Sequence, residues 1–159
     1  MNFTIEPARW EDAPAIAALN NQFAPDGLTL PRTPGFVAER IDGYRVARAT
    51  RATRGTRDVV GIVAVDDYAP SLGELISLAV APEAQGRGLG RRLVEEAERV
   101  ARQRGYTELF AVSLADGLFL GMGWEETSIV RYPEKQARYR LVSRSELAIG
   151  RKFCFTVKP

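Results

Sequence analysis

Residues 74 to 100 hold the feature that most constrains the fold of this chain. A short apolar run, Glu74-Leu-Ile-Ser-Leu-Ala-Val80, meets a turn at Ala81-Pro82-Glu83. The loop Gln85-Gly86-Arg87-Gly88-Leu89-Gly90 follows, and then an amphipathic segment. The run reads as a strand stopped by the proline. From Leu89 onward the apolar residues Leu89, Leu93, Val94, Ala97, Val100 and Ala101 recur at spacings of three and four, which places them on one face of a helix. The glycines therefore sit where a strand hands over to a helix N-terminus. Such a terminus offers about four unpaired backbone N–H groups and a partial positive charge, a ready site for phosphate. Glycine there removes the Cβ atoms that would hold a phosphate away from the backbone.

Composition matters mainly for what it excludes. The 159 residues are 45% hydrophobic, which suits one globular domain spanning 1–159. A net charge of +2 gives little reason to expect nucleic acid or an acidic membrane as partner. Cys154 is the only cysteine, so neither an intrachain disulfide nor a cysteine-rich metal site is available. Its phenylalanine neighbours mark it as a buried strand residue rather than an acyl carrier. With no histidine, acid–base chemistry has to rest on carboxylates, tyrosines, lysines or water, and no metal is expected. No apolar run approaches the ~18 residues of a membrane span, and the N-terminus lacks a signal-peptide pattern, so a cytoplasmic protein is expected.

Along the chain, alternation at Phe3, Ile5 and Pro7 predicts a strand, and Pro14 opens a helix carrying Ala13, Ile16, Ala17, Leu19 and Asn20. Residues 22–36 contain Pro25, Gly27, Pro31, Pro34 and Gly35, a density of breakers that predicts a loop, mobile or facing substrate. A short helix is expected at 36–41, then strands at 44–50 and 59–66. Between these strands, Arg48, Arg51, Arg54 and Arg57 recur every third residue, and the stretch reads as an exposed hairpin tip kept soluble by charge, the alternative being an anion-binding arm. Nothing aromatic is interleaved to stack on bases. A strand at 108–113, a short helix at 116–121 and a strand from Gly123-Trp124 through Val130 follow. In the tail, 137–142 and 153–157 are candidate strands around a candidate helix at 145–149. The pattern predicts an α/β (α+β) fold, a mixed sheet of six to seven strands flanked by about four helices.

Two familiar glycine loops do not fit. A dinucleotide fingerprint needs glycine where Arg91 stands and an acid where Ser113 ends the next strand. A P-loop needs Gly-Lys-Ser/Thr, whereas Gly90-Arg91-Arg92 stands there. A third pattern, Q-x-x-G-x-G, is met by Gln85, Gly88 and Gly90; with Gln or Arg allowed at its first position it arises by chance roughly 0.07 times in a chain of this length. It resembles the acetyl-CoA pyrophosphate loop of the GNAT N-acetyltransferase family. The order of elements over 59–126 supports this, ending in Leu118-Phe119-Leu120-Gly121-Met122-Gly123-Trp124 where the family typically reads Phe-Tyr-x-x-x-Gly-Phe. A closer likeness is to short N-acetylglutamate synthase-like members, through Leu30-Pro31-Arg32 and the strand from Gly73 to Val80. Those members usually place an arginine where this chain has Ile76, the residue before the strand serine.

The resemblance implies direct transfer of an acetyl group from acetyl-CoA to a small amine or amino acid. It assigns Glu74 as general base, directly or through water, and a backbone N–H near Leu78 as donor to the oxygen that gains charge. The alternative for Glu74 is a strand-end carboxylate in a salt bridge. The backbone of Leu78, Ala79 and Val80 is implied to hold the pantetheine arm. Gln85, Gly86, Arg87, Gly88, Leu89, Gly90 and Arg91 are implied to hold the pyrophosphate, with Arg92 beside them. Phe119 stands where most relatives carry a tyrosine acid; it is expected to pack against the cofactor, leaving Ser113 or water to protonate the thiolate. Tyr68 and Tyr132 are further candidates to reach the site. Arg32 is the candidate for a substrate carboxylate, and a homodimer is in keeping with the family. A non-catalytic acyl-CoA-binding or regulatory module is the competing reading.

Overall fold

The computed structural model describes residues 2–50, 57–133, 135 and 153–159. Among the described residues seven strands form one sheet: β1 (Phe3–Pro7), β2 (Tyr44–Thr50), β3 (Arg57–Ala69), β4 (Leu72–Val80), β5 (Glu108–Ser113), β6 (Glu125–Thr127) and β7 (Phe153–Val157), in the order β1-β2-β3-β4-β5-β7-β6. All neighbours are antiparallel except β4 and β5. Parallel strands need a long crossover, and helix α3 (Leu89–Gln103) supplies it. The other α-helices among the described residues are α1 (Ala13–Gln22), α2 (Pro34–Glu39) and α4 (Asp116–Gly121). A mixed sheet flanked by helices is the predicted architecture.

Helix α3 buries the side chains its periodicity picked out, from Leu89 to Ala101, each no more than 2% exposed. Burying Leu89, Leu93, Val94 and Val100 is worth on the order of 8 kcal/mol, which fixes the helix on β2, β3 and β4. Its first turn is drawn in especially closely: a Cβ on Gly61 of β3 would meet Leu93 Cδ1 at 3.0 Å and Leu89 Cδ2 at 3.2 Å. The glycine loop before Leu89 is thereby pinned to the sheet.

Several boundaries differ from expectation. Helix α2 starts at Pro34, two residues early, because Thr33 caps it by accepting the Phe36 N–H at 3.0 Å and Pro34 takes the first position, which needs no donor. The breaker-rich segment also holds a 3₁₀ turn at Ala24–Asp26, closed by Gly27 in the left-handed region. Strand β6 ends at Thr127, short of Val130, where Ser128 accepts the Val130 N–H and starts a 3₁₀ turn. Strand β7 lies where the tail predicts it, whereas 137–142 and 145–149 lie outside the described residues.

Arg48 corrects the reading of the arginine repeat, of which Arg51 and Arg54 lie outside the described residues. Arg48 is buried in β2, donating through Nε to Glu6 Oε1 and through Nη2 to Asp12 Oδ2, each at 2.5 Å. Strand alternation, not the three-residue repeat, decides where it points. Burial alone would raise the Asp12 carboxyl, but the Arg48 hydrogen bond and the Arg9 N–H outweigh it and hold it below its ordinary value. A depressed carboxyl contributes stability that is present above the ordinary carboxylate range and is lost as pH falls through the lowered value. Arg48→Met removes the buried cation that bridges Glu6 and Asp12 and is expected to lower the unfolding free energy by about 3 kcal/mol at pH 7. Urea denaturation measures it, and the difference from the parent should shrink in acid as Asp12 takes up its proton.

Candidate active site

The parallel pair β4–β5 opens halfway along. Its register runs from Leu72↔Glu108 to Leu75↔Ala111 and ends there, although β4 continues to Val80 and β5 to Ser113. A bulge assists the opening: β3 pairs Ile62 with Ala79 but Ala64 with Ile76, so β4 carries an extra residue between them. Ser77, in that bulge, has a φ of 57°, the left-handed region that costs a non-glycine residue about 1 kcal/mol. Its hydroxyl lies 3.0 Å from the buried Tyr44 phenol, a contact that helps to hold the strained backbone.

Two cavities occupy the gap, sharing Leu28, Leu78 and Ser113 as walls. The inner, of about 60 Å³, is lined also by Glu74, Ile76, Ser77, Phe119, Arg32 and Lys135. The outer, of about 160 Å³, runs past Ala79 and Val80 to Gln85 at the glycine loop. The cavity beside the carboxylate and the cavity that reaches the loop thus share three wall residues.

Glu74 is 2% exposed. Its Oε1 accepts from Lys135 Nζ at 2.8 Å and from the Tyr68 hydroxyl at 3.4 Å. Its Oε2 is buried with no partner among the described residues. Burial pushes the carboxyl up from its ordinary value, and the nearby Asp66 adds to this, while Lys135 and, more weakly, Arg32 oppose it. A carboxylate raised in this way is a stronger base than one in water. Beneath it on β7, burial and the Glu74 charge push the Cys154 thiol up to about 12, so the cysteine stays protonated and inert.

The wall opposite β4 comes from the segment between α1 and α2. Asn20 anchors it: its side chain donates to the Leu30 carbonyl at 2.8 Å, and its own carbonyl accepts from Thr29 Oγ1 at 2.5 Å. The Arg32 backbone N–H donates to Asn21 Oδ1 at 2.8 Å, and the guanidinium of Arg32 lies 4.2 Å from the centre of the Phe36 ring. The breaker-rich segment therefore forms part of the cavity lining, and it places the Arg32 cation in the wall facing the one that carries Glu74.

At the other end, Gly86 and Gly88 have φ of 75° and 77°. A Cβ built on either meets nothing within 4 Å, so the space before the loop is open. Gln85 Nε2 reaches back to the Val80 carbonyl at 3.0 Å and ties the loop to the strand end. The first helical bond beyond the loop is Arg92 N–H to the Gly88 carbonyl, which leaves the N–H groups of Leu89, Gly90 and Arg91 ahead of the ladder. Arg87, Arg91 and Arg92 are exposed around them, and Arg91 pairs with Glu95 at 3.3 Å. Open space, orphan donors and three cations fit a diphosphate.

Of the candidate residues, Glu74, Leu78, Ser113, Phe119 and Arg32 line the inner cavity, and Leu78, Ala79, Val80 and Gln85 line the outer. The Ser113 hydroxyl accepts the Ala115 N–H at 3.0 Å and keeps its proton to give. Phe119 is fully buried, stacked on Phe155 with centroids 5.4 Å apart and edge-on to Trp124. Of the two tyrosines considered, Tyr68 reaches Glu74, whereas Tyr132 donates to Glu108 Oε2 at 2.5 Å and stacks on Phe110, away from the cavity. Sequence reasoning missed Lys135 and the Ser77–Tyr44 pair. Lys135 lies 61 residues from its partner in a segment without periodicity, and no local pattern signals it.

A sequence model of the acetyltransferase (GNAT) family matches residues 9–118. An uncharacterised N-acetyltransferase of Chlorobaculum tepidum is 35% identical over 131 residues, covering 82% of this chain and 81% of that protein. An amino-acid acetyltransferase of Neisseria meningitidis is 29% identical over 94% of this chain, which spans 34% of that longer protein. In fold, the chain superposes on N-acetylglutamate synthase of Neisseria gonorrhoeae, solved with coenzyme A and N-acetyl-glutamate, with a TM-score of 0.79 and 26% identity over 98% of this chain and 35% of that one. A Mycobacterium tuberculosis protein solved with CoA gives a TM-score of 0.80 over 98% and 99% of the two chains, at 23% identity. The chain belongs to the acetyltransferase (GNAT) family and is an N-acetyltransferase.

Proposed function

We propose that this acetyl-CoA-dependent enzyme acetylates the amino group of a small acceptor that also carries a carboxylate, an α-amino acid, with Glu74 as the base. The observation that carries the reading is the inner cavity itself, lined both by Glu74, whose Oε2 is buried with no partner among the described residues, and by the Arg32 cation. Acetyl-CoA, when bound, supplies a thioester carbonyl for the amine to attack.

The protein's own residues then have separable tasks. The N–H groups of the glycine loop, with Arg87, Arg91 and Arg92 around them, bind the diphosphate. The exposed backbone edge of Leu78, Ala79 and Val80 offers donors and acceptors to the amide-bearing arm and a donor to an oxygen that gains charge. An ammonium cannot attack, so Glu74 takes its proton. For an α-amino group of pKa ~8, deprotonation at pH 7 costs ~1.4 kcal/mol, a demand one buried carboxylate can meet. Arg32 holds the acceptor's carboxylate so that its nitrogen faces Glu74. The Ser113 hydroxyl is positioned to return a proton to the departing thiolate, which leaves largely unaided because thiol pKa values lie near 8.5. Phe119 packs beneath as apolar wall.

The relatives that acetylate amino acids support the acceptor class. Ile76 lines the cavity where the N-acetylglutamate synthase-like members usually carry arginine, so we assign the class and not glutamate. Free thiol release from acetyl-CoA, measured across α-amino acids and their decarboxylated amines, tests the reading. Amino acids are expected to be at least about tenfold better in kcat/KM, the worth of one charge-assisted contact. Arg32→Ala should raise KM for the amino acids by a similar factor and leave the simple amines unaffected. Equal turnover of both series, or an unchanged KM in the variant, contradicts it.

A further inference from the structure

The two oxygens of Glu74 are used unequally. Oε1 is taken by Lys135 at 2.8 Å and approached by Tyr68, while Oε2 lies buried and unpartnered among the described residues. The side chains of the ion pair are 7% and 2% exposed. Lys135 is itself anchored: its N–H bonds the Tyr132 carbonyl at 3.0 Å, and the Tyr132 ring stacks on Phe110, 3.9 Å between centroids, on the strand beside Glu74. The ammonium therefore meets the carboxylate from a fixed support.

We propose that Lys135 is a positioning residue for the base: by clamping Oε1 and balancing the buried charge, it keeps Oε2 ionised and turned toward the acceptor amine. The proposal rests on the reading of Glu74 as base. An isolated carboxylate at this depth would carry a desolvation cost of several kcal/mol and would escape it by keeping its proton. A protonated carboxyl cannot take one from an ammonium. With Lys135 in place, a proton passes from the acceptor's ammonium to Oε2, leaving a neutral amine with its lone pair available and a neutral carboxylic acid. The other groups around Glu74 do not replace the clamp. Arg32 acts from across the cavity, Asp66 on β3 opposes ionisation, Tyr68 is neutral, and Cys154 on β7 holds its proton.

The pH dependence of kcat/KM with a good amino-acid acceptor tests this in the full-length enzyme, comparing Lys135→Met, Lys135→Gln, Lys135→Arg and Glu74→Gln. Lys135→Met and Lys135→Gln are expected to move the rising acidic limb upward by about one pH unit or more, to lose about tenfold at pH 7, and to approach the parent rate at high pH. Lys135→Arg should return the limb toward its original place. Stabilisation of each variant by acetyl-CoA should stay as in the parent. Should the Met variant not fold, the Gln variant, which retains a donor without the charge, carries the comparison. A limb that stays put when the charge is removed overturns the proposal, as does an equal loss at every pH. If Glu74→Gln itself retains the parent's limb, the base reading falls instead, so the two failures are distinguishable.

Discussion

Replacing Glu74 with glutamine is expected to lower kcat about 100-fold at pH 7, the usual worth of a positioned general base. The residual rate should climb with pH as the acceptor loses its proton unaided, narrowing the gap to the parent near pH 9. The shape is as informative as the drop. A carboxylate that served only as a strand-end ion pair for Lys135 would, on removal, cost stability and leave the pH profile of the surviving enzyme unchanged. Because Glu74→Gln leaves the Lys135 ammonium buried without its counter-charge, melting temperature has to be followed alongside activity. Steady-state thiol release between pH 6 and 9.5 on folded protein separates the two roles.

The second large effect is expected at the glycine loop. Gly88 adopts a φ of 77° with open space where a Cβ would sit. Gly88→Val puts a branched side chain into that space and, through backbone strain, destabilises the free protein by about 1–2 kcal/mol. The functional loss should be larger and confined to one ligand. Affinity for acetyl-CoA falls at least about tenfold because a diphosphate can no longer reach the N–H groups at the helix start. KM for the acceptor amine stays near the parent value. Titration calorimetry with coenzyme A checks the first, and initial rates at saturating acetyl-CoA check the second.

The part of the site that lies along one stretch of chain is legible in the sequence alone. Glu74 to Val80 is a short apolar run, Leu89 to Ala101 carries a helical period, and the segment between them is bounded by proline and glycine, so strand, glycine loop and helix follow from local chemistry. Glu74 faces the cavity because its strand does. What escapes a sequence reading is made elsewhere. Lys135 meets Glu74 beside the stack of Tyr132 on Phe110, contacts between distant segments that leave no spacing in the sequence. The bulge is equally silent, since nothing about a serine between isoleucine and leucine announces a positive φ. Arg48 misleads because a repeat of three suggests an exposed run, while the alternation of its strand turns it inward to Glu6 and Asp12. At Thr33-Pro34 a cap and an N1 proline are present, but the density of breakers around them favours loop.

The proposed function makes one arrangement central: diphosphate on the glycine loop, an extended arm through the gap between β4 and β5, and chemistry beside Glu74. A crystal structure of the protein with coenzyme A tests it most directly. The predicted result has the diphosphate oxygens on the N–H groups of residues 86–91 and the thiol in the gap next to Leu78, on the side of Glu74. A thiol that ends elsewhere, or a diphosphate away from the loop, would contradict the account.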